Sequence, residues 1–206
     1  MVLSSANGGR AFQLIAGHPA LDLINTLDWR FRDREPEELL ESYSNLLNFT
    51  TQAGLLTPRQ ARYLLRNASA GAAARTLAAV RELREAAAAV FYPALDGQSP
   101  SAPAIKILEK FFKAARENQK LSWADAQLAW DQPNAAATAD LPLWLLAQNT
   151  AGLMTSSAMQ HVRACGSPDC RWLFLDTSKN HTRRWCDMRL CGNRMKARRF
   201  KAQHHA

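Results

Sequence analysis

The first 160 residues of this 206-residue chain contain no cysteine, and all four cysteines lie between positions 165 and 191. Long apolar runs are missing too. The longest, residues 141–146, is far short of the roughly 20 residues that cross a bilayer. The first ten residues have neither a basic start nor an apolar stretch of the kind that directs secretion. These absences predict a soluble protein of the cytoplasm. Catalytic machinery is also missing. Residues 1–160 hold one histidine, His18, and no glycine-rich phosphate loop or Ser/His/Asp or Cys/His constellation. His18 beside Pro19 reads as structural, and the sequence predicts no enzyme. No heptad repeat announces a coiled coil, so the oligomeric state stays open.

What is present is a charge imbalance. Residues 1–160 carry 15 Lys/Arg and 15 Asp/Glu, whereas residues 161–206 carry 11 and 3. The whole net charge of +8 therefore sits in the last 46 residues. Such a block attracts polyanions, nucleic acid first and an anionic membrane surface second.

The apolar fraction of 47% predicts a globular protein, mainly α, with a helical domain over 1–160 and a small four-cysteine module over 161–206. Phe12, Leu14 and Ala16 alternate as a short strand would. Pro19 opens a helix continued by Ala20, Leu21, Leu23, Ile24 and Leu27. Leu39, Leu40, Tyr43, Leu46 and Leu47 predict a second, stopped near Gly54. Thr57-Pro58-Arg59-Gln60 is a capping box ahead of an apolar face at Tyr63, Leu64 and Leu65. Residues 72–92 predict a long alanine-rich helix ending near Pro93, followed by a loop over 99–103. Ile105, Leu108, Phe111 and Phe112 mark another helix. Residues 123–130 suit a small hairpin, and Gln132-Pro133-Asn134 a turn. A last helix over 141–162 is expected to lead directly into Cys165. The module would pack against that helix or continue from it.

The cysteines read Cys165-x4-Cys170, fifteen residues, Cys186-x4-Cys191. Two tight turns with converging thiolates supply the tetrahedral set that zinc prefers. Four sulfurs leave no open position, so such a zinc is structural, and His161, His181, His204 and His205 are not needed. Free thiols, disulfides or an iron–sulfur cluster are the alternatives. Paired spacing disfavours the first two, and the spacing does not match ferredoxin-type runs.

The signature is more specific than its spacing. Phe174, Asp176 and Ser178 form a Phe-x-Asp-x-Ser element, Arg184-Trp185-Cys186 follows, and Cys191-Gly192-Asn193-Arg194 precedes Lys196-Ala197. This pattern resembles the CGNR zinc finger. Ala20-Leu21-Asp22-Leu23-Ile24-Asn25-Thr26 resembles the start of the ABATE domain, which accompanies that finger in stress-induced transcription regulators. The resemblance implies DNA binding and transcription regulation.

On this reading, Arg171, Lys179, Arg183, Arg184, Arg194, Lys196, Arg198, Arg199 and Lys201 are the phosphate-contacting candidates. On a helix, Arg194, Arg198 and Lys201 share one side. Asn193 suits adenine recognition, but a helix cap or left-handed turn suits it better. Trp172 and Trp185 can stack on bases or pack around the metal, the favoured role. RNA or a protein is the alternative partner. In the first helix Asp22, Asn25 and Thr26 share a polar face. With Arg30, and flanked by His18 and Trp29, they make a candidate pocket for a small-molecule effector. Hydrogen bonding between helix and loop is the simpler reading.

Overall fold

A computed structural model describes residues 11–32, 36–124, 126–131 and 138–204. The first ten residues, the expected turn at Gln132-Pro133-Asn134 and His205 lie outside the described residues. The expected mainly α architecture is present. The described residues form seven α-helices and three separate two-stranded antiparallel pairs.

Helix α1 (Pro19–Ile24) is short. His18 Nδ1 accepts from the Ala20 N–H at its start, and Asn25 closes its end. Leu27 falls outside it, in the two-residue strand β1 (Leu27–Asp28), which pairs with β2 (Glu37–Glu38). Residues 11–15 belong to no strand, so the expected strand around Phe12 and Leu14 does not form. Helix α2 (Tyr43–Gln52) starts behind a Ser42/Asn45 capping box, later than the Leu39–Leu40 stripe suggested. It stops before Gly54, which takes the left-handed φ of +73°.

Helix α3 (Pro58–Asn67) has the expected Thr57/Gln60 box, but of Tyr63, Leu64 and Leu65 only Leu64 is buried. Helix α4 (Ala70–Leu95) starts at its Ser69 cap and runs past Pro93. A proline so near the end removes one helical hydrogen bond without breaking the body of the helix. Helix α5 (Ala102–Glu117) begins inside the segment expected as a loop, because Ser101 caps it and Pro103 sits in its first turn. The hairpin forms as β3 (Lys120–Ala124) and β4 (Gln127–Asp131).

Helix α6 (Leu141–Met154) is shorter than the expected 141–162. Ser156 is extended and caps a separate 3-10 turn at Ser157–His161. The chain then enters β5 (Val162–Ala164), so a strand, and not a helix, delivers Cys165. Strand β5 pairs with β6 (Leu173–Leu175), and helix α7 (Asn193–His204) ends the described chain.

The main core gathers around α4, which touches α1, α2, α5 and α6. Phe49, Leu83, Phe91 and Leu146 are fully buried in it. Val162 and Leu173 from β5 and β6 belong to the same cluster. The cysteine module is therefore seated on α1 and α4 by its own hairpin, and not stacked on the end of α6.

Candidate metal centre

Each cysteine pair is delivered by a local turn. In the first, Cys165 N–H donates to Trp172 O (2.8 Å), and Cys170 N–H donates to Ser167 O (3.0 Å). Arg171 adopts a left-handed φ of +49° to leave the turn. In the second, the Asp187 carboxylate caps a π-type turn at Met188–Gly192 by accepting from Leu190 N–H. Cys191 N–H donates to Asp187 O (3.0 Å). Two glycines allow the turns to close. A Cβ on Gly166 would stand 3.2 Å from Arg184 O and from the Trp185 ring, and one on Gly192 would stand 2.5 Å from Met188 Sδ.

The result is a buried set of four sulfurs, all within 4.8 Å of one another. Cys170 and Cys186 Sγ are 3.7 Å apart, and Cys186 and Cys191 Sγ 3.6 Å. Zn–S bonds of about 2.3 Å in a tetrahedron place sulfurs about 3.8 Å apart. A disulfide requires about 2.05 Å. The spacing therefore suits a single ion, and several irons with bridging sulfides do not fit. Hydrogen bonds from Cys170 and Cys186 push the Cys165 thiol down, and the same bonds with burial push Cys170 and Cys186 up. Four thiolates coexist here only around a metal. The four cysteines form a structural zinc site.

The histidines stay outside the set. His161 and His181 stack on each other at 3.9 Å, and His204 packs on Phe200. Trp172 and Trp185 are half-buried against the cysteines, in the packing role expected for them. Asp176 organises the connecting loop. Burial would raise its carboxyl, but hydrogen bonds from Ser178 and from the Arg183 N–H hold it below the ordinary range.

The nine basic candidates divide. Arg183 lies 4.4 Å from the Phe174 ring centre and donates to Trp185 O and Cys186 O, so it braces the metal loop. Arg171 turns inward to Asp96 and to the rings of Phe31 and Tyr92. Arg194 covers Trp29, and Arg198 pairs with Asp169. On the Arg194–Arg198 side of α7, Arg194 is half-buried against Trp29, whereas Arg198 stays exposed beside Asp169. Lys179, Arg184, Lys196, Arg199 and Lys201 are exposed. Arg189, absent from the candidates, is exposed as well. The signal for it was Asp187, an N-cap residue that starts the helical run five residues earlier than Asn193. Asn193 itself has helical φ and ψ (−67° and −38°), so it is neither the N-cap of α7 nor left-handed.

The polar face of α1 is turned to the chain's own use. Asn25 donates to Leu173 O and accepts from Leu173 N–H, both at 2.9 Å, acting as a strand partner for β6. Asp22 accepts from Ala16 N–H. Burial pushes its carboxyl up to about 6, against the opposing Ala16 hydrogen bond. Thr26 donates to Leu23 O and accepts from Arg84, which also grips Glu38. Arg30 pairs with Glu85. The cavity lined by Asp22, Asn25 and Thr26 measures about 10 Å³, room for roughly one water. The side chains expected to line an effector pocket are engaged in hydrogen bonds and an ion pair within the chain.

No helix among the described residues is long and apolar enough to cross a membrane. A comparison with curated proteins found no match. Two family models do match. Residues 161–204 match the CGNR zinc finger, and residues 17–157 match the ABATE family, described as "Putative stress-induced transcription regulator". Neither description names an enzyme. With the larger match spanning most of its length, the chain belongs to the ABATE family and carries a CGNR zinc finger.

Proposed function

We propose that the protein is a cytoplasmic DNA-binding regulator whose zinc-held finger grips duplex phosphates. One observation carries this reading: the entire net charge lies in residues 161–206, where Lys179, Arg184, Arg189, Lys196, Arg199 and Lys201 are exposed. The zinc turns fix the backbone from which these side chains project. Arg183 and Arg198 support the finger, and Arg171 and Arg194 join it to the helical domain. Asn193, exposed at the start of α7, is the side chain best suited to adenine. The helical domain of residues 1–160 would supply the regulatory input. An effector bound there would reach the finger through the Asn25–Leu173 bonds.

Six phosphate contacts give a slope of log affinity on log salt of about −5. Titration of the zinc-loaded chain into duplex DNA across a salt series measures it. The double substitution Lys196→Ala with Arg199→Ala should reduce that slope by about 2, with the zinc content unchanged. Absence of duplex binding at low salt would overturn the proposal. Tighter binding of structured RNA at matched salt would favour an RNA-binding adaptor instead.

A further inference from the structure

The hairpin β3–β4 presents an apolar face that stays more than half exposed, with the Arg116 guanidinium 6.0 Å from the Trp130 ring centre. Its register pairs Leu121 with Trp130 and Trp123 with Leu128. Cross-strand partners share a face, and residues two apart on one strand share it too. All four side chains therefore lie on one side. They are 54%, 58%, 70% and 61% exposed, respectively. A lone two-stranded hairpin is marginal in water, so this one gains from a partner. Trp130 also borders a groove of about 660 Å³ lined by Val90, Ile105, Leu108 and Phe112, which extends the apolar surface.

We infer that the hairpin face is a homodimer interface, occupied by the same face of a second copy. The residue pattern favours that occupant. Viewed face-on, the two tryptophans occupy one diagonal of a four-residue block and the two leucines the other. A two-fold axis lying in the contact plane, along the strands or across them, places each tryptophan over a leucine of the second copy. Large then meets small at every position, and the contact is isologous, as closed two-fold dimers require. The exposed area of the four side chains is on the order of 500 Å² per copy. Two copies together bury about 1,000 Å² from these residues alone, at the threshold of a specific interface. The adjoining groove adds to that.

Sedimentation equilibrium of the zinc-loaded full chain over a range of concentrations tests the inference. The mass should rise to twice 22.9 kDa. Trp123→Glu should raise the dimer dissociation constant at least about tenfold, while Trp123→Phe retains association. Far-UV circular dichroism and zinc content identify a variant that has merely lost its fold. Independently of any variant, tryptophan emission of the wild-type chain should shift to the blue as concentration rises. A wild-type mass of one chain throughout would overturn the inference. So would a folded Trp123→Glu variant that associates as tightly as wild type.

Discussion

The two ends of the chain solve the same problem with different physics. The helical domain buries Phe49, Leu83, Phe91 and Leu146 around α4, and its charges cancel. The finger buries four thiols, Phe174 and parts of two tryptophans, and it carries the whole net charge. So small an apolar cluster cannot offset the entropy of ordering the segment or the mutual repulsion of its basic side chains. The metal supplies the difference. The cost is dependence on an ion, and the gain is a surface dense in positive charge that needs little core beneath it. The two regions are nevertheless not independent, because β5 and β6 place Val162 and Leu173 in the helical core.

The largest expected effect separates the regions. Chelation, or Cys186→Ser, should abolish amide protection in the two cysteine turns, residues 165–171 and 186–192, since zinc binding contributes on the order of 10 kcal/mol to such modules. Protection in α4 and α5 should survive. Hydrogen exchange reads both at once, and a finger that keeps its protection without metal would break the contrast.

A smaller effect tests the joint between them. Asn25→Ala removes both bonds to Leu173 and leaves a buried N–H and C=O unpaired. We expect a loss of about 3 kcal/mol, seen in urea denaturation of the body and as looser finger amides. A change confined to one region would show that the two are less coupled than the shared core indicates.

The smallest effect concerns the body alone. The raised Asp22 carboxyl means that the folded state holds its proton to higher pH than the unfolded chain does. Stability should therefore fall as pH rises from about 4 to about 6, by roughly 2 kcal/mol. Asp22→Asn should remove that fall. The difference between the two chains, followed by a probe in α4, isolates the effect from zinc loss in acid.

Much of the site was legible before the fold. The spacing of Cys165, Cys170, Cys186 and Cys191 specifies the metal chemistry because turns of that length are local. The Thr57/Gln60 box was legible for the same reason. Orientation was less accessible. A helical wheel shows that Arg194 and Arg198 share a side, but only the fold shows that Trp29 half-buries Arg194 and that Asp169 pairs with the exposed Arg198. Arg183 was indistinguishable from Arg184 in sequence. One braces Cys186 and the other is exposed, a distinction set by Phe174 and the turn around it.

By itself the sequence determined the four-thiolate site, the placement of all the net charge and the starts of α1, α3 and α6, since these depend on residue type and near neighbours. Only the tertiary structure decided where α6 yields to β5, which arginines remain exposed, and how Asn25 serves the finger. That last contact joins residues 148 positions apart. No periodicity encodes such a pairing, because it exists only once the helical core has brought α1 alongside β6.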